Sequence, residues 1–526
     1  MKKTMLLLFL LLVISLVACN DDDSETKTDG DMDTLTEQDS QAENEEEGSS
    51  LPHELAVEYS RPDVGEALTN DEITAFTKKL MKFLDKVDYF RYVWRVSHGV
   101  DKSTGKPDWM TWWDGTEAVK SGDTVTFRHV PGGGGHNIFI PTSKLLTEAV
   151  AAYLMTGDDA AGLVLEQFSK GQAAACKCME FGENDPYKYT MARNFVAQNH
   201  AFEIDGGRKK AVDFTGWYSS YSDWNTGRYE NANNPYWGDI WFTNMRSKDD
   251  VCHIFRTAAF VRYAAEEAKD ETIRNAAKEA YEYVSGFSKD IVDNGYLTRT
   301  KDKDGNPYFP KEDLASFVAW DFIFKKSVEC TAKISAAFLA YGEPKDNNCG
   351  LGTYNSYEIN ATNANYYELA IFRNFHMSAT ALALVHGYND MAQKLIEGLA
   401  DRADIDQNPE KRHPQAEKQN SWEGDLAVFL LQSSSVGLPL TSREVRLIHQ
   451  YYSKAVDNFS TWTYWDLWDS SIPDGTYDYR PSGGDSYVDI SELAMAVEYC
   501  FSPFKNPAGK IPVDCEIVKD RTKWGD

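Results

Sequence analysis

The sequence predicts an all-α fold in which helical hairpins close into an (α/α) toroid. The first observation is a layout shared by residues 143–171, 257–287 and 376–401. Each has an alanine-rich apolar helix, a turn of two to four residues containing Asp, and a more amphipathic second helix. The second observation is that the first helix of each pair is apolar nearly all round, as expected when one layer of helices is buried inside another. We therefore predict two layers of helices.

Four further segments have helical periodicity, whereas strand-like alternation is sparse. They are residues 327–342, 422–435, 443–459 and 489–501. The spacing between hairpins is irregular, and an open α-solenoid would show a tighter repeat length. The irregular spacing favours the closed ring, as a single domain over residues 51–526.

The chain begins with the pattern of a signal peptide. Two lysines precede an apolar run that is short for a membrane-spanning helix, and small residues follow up to Cys19. The stretch "LVAC" resembles the lipobox of bacterial lipoproteins, whose cysteine becomes the lipidated first residue of the mature protein. The resemblance implies removal of residues 1–18, acyl chains on Cys19 that reach a membrane, and a location at the cell envelope.

An acidic tether is predicted next, over residues 19–50. Residues 20–50 carry thirteen acids against one lysine, so they cannot bury enough apolar surface to fold and are predicted to be disordered. With −12 on this segment and +2 on the leader, −18 of the formal −28 remains on residues 51–526. An acidic body makes nucleic acid an unsuitable partner.

The cysteines and the glycine run indicate neither a metal nor a cofactor. Seven cysteines follow Cys19, so at least one stays unpaired even if others pair in an oxidising compartment. Cys176 and Cys178 have no second Cys/His pair at zinc-finger spacing. The glycines at 132–135 lack the Lys-Ser/Thr ending of a phosphate-binding loop, so we expect no nucleotide there.

A helix is predicted to begin after Ser247, which fits an N-cap, with Asp250 at the position of a capping-box acid. Its second face holds Asp249, His253, Arg256 and Phe260. Because Phe is unusual on a solvated face, we expect this face to line the central cleft of the ring. There Asp249 is predicted to hydrogen-bond His253 and to raise its pKa. Structural ion pairing is the alternative.

Similar polar groups stand before other apolar helices. Arg373, Asn374 and His376 head one of them, and His136 follows the four glycines, which let a backbone approach a ligand closely. Polar groups leading into a buried helix must find partners, which are either neighbours or a substrate. These four residues therefore join Asp249 and His253 as candidate catalytic residues.

Long connections rich in Trp and Tyr separate the hairpins, and loops of such length in a compact domain are usually functional. Aromatic faces stack on sugar rings, and interleaved acids bind hydroxyls. The candidate substrate-binding residues are Trp217, Tyr221, Trp224, Trp237, Trp241, Trp465, Asp466 and Trp468. In the alternative interpretation, these aromatics form a core for the loops themselves.

The helical layout and the acid-bearing aromatic loops of residues 70–505 resemble the (α/α)-toroid polysaccharide lyases and glycoside hydrolases. That resemblance implies a polysaccharide or oligosaccharide as substrate and a monomeric protein. The His/Asn/Arg groups favour β-elimination from a uronate, whereas the many acids and the negative charge favour hydrolysis. The alternative function is a non-catalytic surface lipoprotein that binds glycan or protein through the same loops.

Overall fold

The chain is represented by a computed structural model, in which Ser49–Asp526 form one compact unit. The structure describes residues 57, 59–86, 95–97, 108–109, 111–112, 116–129, 138–193, 195–197, 201–203, 210–213, 228–243, 248–309, 326–345, 366–412, 422–461, 467, 469–478, 488 and 490–525. The leader, Cys19 and the acidic tether lie outside these residues.

The described chain is mostly helical, which confirms the predicted all-α class. The helices are α1 (Asn70–Lys86), α2 (Phe139–Thr156), α3 (Asp159–Lys177), α4 (Lys248–Glu267), α5 (Glu271–Asp293), α6 (Lys326–Tyr341), α7 (Tyr366–Val385), α8 (Asn389–Gln407), α9 (Trp422–Ser434), α10 (Ser442–Ser460), α11 (Ile490–Leu493), α12 (Met495–Phe501) and α13 (Cys515–Val518).

The aspartates in the predicted hairpin turns start the second helix of two pairs. Asp158 accepts a hydrogen bond from the backbone N–H of Ala161 at the start of α3. Asp270 caps α5 in the same way, through the N–H groups of Thr272 and Ile273. Each carboxylate satisfies donors that the first turn of a helix leaves without a partner, so the turn ends one helix and begins the next.

The helices that are apolar nearly all round pack on one another. Helix α2 packs against α4, α4 against α7, and α7 against both α6 and α9. Helix α12 packs against α2 and α9. The more amphipathic α3 and α5 pack on each other and on the first helix of their own hairpins. The helices that are apolar nearly all round are therefore surrounded by other helices, and the amphipathic helices keep one face in solvent.

Short strands lie in several of the connections, and the sequence does not predict them. They are β1 (Arg95–Ser97), β2 (Thr111–Trp112), β3 (Thr116–Ser121), β4 (Thr124–His129), β5 (Phe195–Ala197), β6 (Ala201–Glu203), β7 (Lys210–Asp213), β8 (Arg228–Asn234), β9 (Gly238–Thr243), β10 (Thr300–Lys301), β11 (Pro307–Tyr308) and β12 (Gly475–Asp478). One sheet has the order β12-β3-β4-β7-β6 and another β5-β9-β8. Strands of two to seven residues are too short for alternation to be distinct in the sequence.

Cysteines occur in both redox states. Cys500 of α12 and Cys515 of α13 form a disulfide, and Cys330 is also disulfide-bonded. The free cysteines of the described chain are Cys176, Cys178 and Cys252, all of them buried. Within the same residues, no helix combines the length and the apolar character needed to cross a membrane.

Candidate active site

Ionisable side chains are buried where α2 packs against α4 and against α11. Lys144 of α2 donates to Glu492 of α11 with an Nζ to Oε1 distance of 2.5 Å, and only 6% and 13% of the two side chains are exposed. The charge of Lys144 also acts on His253 of α4. We call Lys144, His253 and Glu492 the polar cluster. Glu148, one turn further along α2, is 1% exposed.

The start of α4 is tied to the start of α2. Oδ1 of Asp250 accepts a hydrogen bond from the backbone N–H of Phe139 at 3.1 Å. Its Oδ2 lies 3.9 Å from Nε of Arg193, which follows α3. The Asp250 carboxylate, predicted to cap its own helix, thus accepts a hydrogen bond from the first residue of α2. Its predicted N-cap partner, Ser247, lies outside the described residues.

His253 is buried, and its hydrogen bond differs from the predicted one. Nδ1 lies 2.7 Å from the main-chain oxygen of Asp249, so the ring donates there and Nε2 keeps its lone pair. Burial, reinforced by the charge of Lys144, lowers the pKa of His253 to about 3. The predicted rise in pKa is therefore wrong, because the partner is a neutral carbonyl and desolvation disfavours the charged ring.

Arg256 forms an ion pair between helices instead of facing an open cleft. Its Nη2 donates to both carboxylate oxygens of Glu498 in α12, at 2.9 and 3.1 Å. Both residues are fully buried. One turn on, Phe260 packs edge-on against Phe504 with ring centroids 4.8 Å apart. Beyond His253, this face of α4 therefore joins an ion pair and the apolar core, as the structural alternative proposed.

Arg373 and Asn374 of α7 are held by protein partners. Arg373 donates from Nη2 to Asp406 of α8 at 2.7 Å, and Arg402 binds the same carboxylate from Nε at 2.9 Å. Asn374 donates to the main-chain oxygen of Ala370 at 2.9 Å. Both α7 side chains are 5% exposed. Arg373 therefore links α7 to α8, and Asn374 bonds within its own helix.

His376 joins α7 to α8. It is 1% exposed, and its Nε2 donates to the main-chain oxygen of Leu395 at 2.8 Å. Burial lowers the pKa of His376 to about 4. A neutral ring that donates to a carbonyl in the core is a structural group, so the catalytic role predicted for it gains no support from these contacts.

The buried His376 predicts a loss of stability in weak acid. Its folded pKa is about 4, below the ordinary 6.5, so the unfolded chain binds a proton that the folded chain excludes. The stabilisation is complete above pH 6.5 and falls by up to about 1.4 kcal/mol per pH unit as the pH drops towards 4. Gln keeps an N–H donor for the main-chain oxygen of Leu395. We therefore expect His376→Gln to reduce the slope of the unfolding free energy against pH, measured by urea titration at each pH, by roughly the contribution of one bound proton. An unchanged slope contradicts the assignment.

Of the predicted substrate-binding aromatics, Trp237 and Trp241 fall within the described chain. Trp237 is 8% exposed, donates from Nε1 to Asp108 at 2.9 Å, and packs against Trp109 with centroids 5.6 Å apart. Trp241 is partly buried against the core. Trp237 therefore belongs to a core beneath the loops. The predicted residues outside the described chain are His136, Trp217, Tyr221, Trp224, Trp465, Asp466 and Trp468.

The cavities that described residues form include two that are lined by no predicted catalytic residue. One, of about 330 Å³, lies between the end of α8, the start of α9 and α10. The other, of about 200 Å³, is mainly apolar and lies between α1, α2, α12 and α13. In the part of the chain that the structure describes, no group of three or more His, Cys, Asp or Glu side chains is arranged to hold a metal ion.

Comparison with known proteins gives no match to this chain, whether with protein-family models, with curated proteins or with solved structures.

The polar cluster includes two residues that the sequence-based prediction missed, Lys144 and Glu492. A signal for Lys144 exists, because it and Glu148 stand four residues apart in "SKLLTEAVAAYL", a helix that is otherwise apolar nearly all round. Charges in a helix with no solvated face must pair or bind something. Glu492 and Glu498 stand similarly in "DISELAMAVEYCF".

Proposed function

We propose that the chain is an exported polysaccharide-degrading enzyme, anchored to the cell envelope through lipidated Cys19 and built as a closed ring of hairpins. The contacts of the apolar helices support the ring. They run from α2 to α4, α7, α9 and α12, and from α12 back to α2. A cyclic order of this kind is what the inner layer of a toroid requires.

The buried polar cluster is the observation that carries the function. Lys144 and His253 are each the sixth residue of their helix, in two adjacent members of the proposed inner layer. Burying a lysine, a histidine with a strongly lowered pKa and a carboxylate together costs stability, and such groups are concentrated at functional sites. The starts of these helices also follow the glycine-rich and aromatic connections, where we expect a substrate to enter.

Elimination from a uronate fits this cluster best. Nε2 of His253 holds a lone pair that can accept the proton from the carbon next to the uronate carboxylate. The electron pair left on that carbon forms the double bond, and the glycosidic oxygen leaves and takes up the proton that the His253 ring then gives back. In this proposal the Lys144 ammonium exchanges its contact with Glu492 for the uronate carboxylate and balances the charge of that group and of the intermediate. A bound carboxylate beside Lys144 also raises the pKa of His253, which strengthens it as a base.

The test is to incubate the purified full-length chain, in detergent, with a panel of neutral and uronate-containing polysaccharides. Unsaturated ends are followed by absorbance near ~235 nm, and reducing ends by a colour assay. We expect both signals to rise together on a uronate-containing polymer. Reducing ends without absorbance indicate hydrolysis, for which Glu148 and Glu492 are the available carboxylates. Binding without either signal overturns the enzyme and leaves the glycan- or protein-binding lipoprotein.

A further inference from the structure

An apolar cavity of about 200 Å³ lies between α1, α2, α12 and residues 514–525, which we call the C-terminal segment. Its walls include Leu84 of α1, Ala152 of α2, and Val497 and Phe501 of α12, all at most 6% exposed. Protein interiors hold few voids larger than a water molecule, because the atoms that line a void lose contacts on one side. A ligand that fills this cavity restores those contacts.

The polar groups that the turn between α2 and α3 contributes to the lining have partners within the protein. The hydroxyl of Thr156 donates to the main-chain oxygen of Ala152 at 2.5 Å. The carboxylate of Asp158 accepts a hydrogen bond from the backbone N–H of Ala161 at 2.9 Å and so caps α3. These bonds hold the turn, so the walls here offer a ligand mainly apolar contact.

The polar groups that α1 and the C-terminal segment contribute are paired or exposed. Trp524 donates from Nε1 to the main-chain oxygen of Ile517 at 2.8 Å, which fixes its ring at the cavity. Asp85 and Arg521 form an ion pair with each other, and their side chains are 44% and 70% exposed. Lys519 is exposed as well. The charges therefore lie where the cavity meets solvent, and the interior is apolar.

The C-terminal segment is fastened to the helices beside the cavity. Cys515 is joined to Cys500 of α12 by a disulfide, and the N–H of Asp514 donates to the hydroxyl oxygen of Thr77 in α1 at 2.8 Å. Trp524 of the same segment lines the cavity. This wall is thus held in place before a ligand arrives, and a preformed site loses little conformational entropy on binding.

We propose that this cavity binds a small uncharged apolar molecule, about the size of a benzene ring with one or two added carbon atoms. An apolar cavity of about 150 Å³ can stay dry and bind benzene, so about 200 Å³ accommodates a slightly larger molecule. A sugar unit is unsuitable, since its hydroxyls would lose hydrogen bonds to water and find the polar groups of the lining already bonded. The ligand is therefore different from the proposed polysaccharide substrate.

The cavity is also separate in space from the polar cluster. Ala152 lies eight residues beyond Lys144 in the same helix, which is about 12 Å along the axis of α2. An apolar ligand here is accordingly a second ligand of the chain, and its binding can be measured without any catalysed reaction.

The experiment is equilibrium dialysis of the full-length chain with toluene and with phenol, using the same detergent buffer on both sides so that uptake by micelles cancels. We expect toluene to bind. Phenol has nearly the same shape and should bind at least about tenfold more weakly, because its hydroxyl loses water without gaining a partner. Ala152→Leu extends a side chain into the cavity and should weaken toluene binding by at least about tenfold. Ala75→Leu, the same change at an exposed position of α1, is the matched control and should bind as the parent chain does.

Urea titration checks that each variant folds. Ala152→Leu should keep or raise the free energy of unfolding, since the added side chain occupies existing space. If Ala152→Leu does not fold, Val497→Leu makes a smaller change in the wall that α12 contributes and should weaken toluene binding by at least about threefold.

Three results overturn the apolar site. They are no binding of toluene, equal binding of phenol and toluene, and a cavity variant that binds toluene as tightly as Ala75→Leu does. No polysaccharide takes part in the measurement, so failure of this site leaves the proposed enzyme untouched, and failure of the enzyme leaves this site.

Discussion

We expect His253→Gln to lower kcat on the polymer that the chain degrades by at least about 100-fold, with a much smaller change in KM. Glutamine fills much of the same volume and can donate to the main-chain oxygen of Asp249, which now accepts from Nδ1 at 2.7 Å. It has no basic lone pair comparable to that of Nε2. A lower kcat in this variant therefore reports the loss of proton transfer, since packing and substrate binding are largely kept.

A substitution of Lys144 tests whether the positive charge in the polar cluster is needed for activity. Lys144→Met should lower kcat/KM on a uronate polymer by at least about 100-fold, because no cation then balances the developing negative charge. Lys177→Gln is the matched control, since Lys177 also forms an ion pair, at 2.7 Å with Glu279, but lies in α3. If Lys144→Met and Lys177→Gln retain equal activity, the polar cluster is only structural and the proposed catalytic centre is wrong.

Local patterns were enough to predict the helical hairpins, but not the contacts of their polar side chains. The residues that form the turn at Asp158 are all within a few positions of one another, so capping chemistry identifies it. Asp250 has its helix-capping partner 111 residues away, at Phe139. No spacing within one helix reveals such a contact, because it depends on which helices become neighbours.

The candidate site was predicted only in part, for a related reason. Helical periodicity put His253 on a second face of α4, where it lies, but the sign of its pKa shift depends on burial and on Lys144 from another helix. The hydrogen bonds of Arg373 and His376 to α8 likewise cannot be predicted from the sequence, because they depend on which helices become neighbours. Single charges inside all-apolar helices indicate buried ion pairs, such as Lys144 with Glu492, because burial makes an unpaired charge costly.

We expect Glu498→Leu to destabilise the fold by about 3–5 kcal/mol, because it leaves Arg256 charged and unpaired in the core. The pair joins α4 to α12 across 242 residues, and both side chains are at most 1% exposed. Urea titration gives the free energy of unfolding, and a constant slope against urea shows that the native state keeps its compactness.

The double variant Arg256→Met/Glu498→Leu should recover most or all of that loss. Burial raises the pKa of Glu498 even though Arg256 acts to lower it, so desolvation outweighs attraction in this pair. Two apolar side chains of similar size avoid that desolvation. Asp457→Asn is the control, since its ion pair with Lys79 links α10 to α1 with side chains 63% and 43% exposed, and should cost less than about 1 kcal/mol. A double variant as unstable as Glu498→Leu would show that packing, and not the unpaired charge, sets the cost.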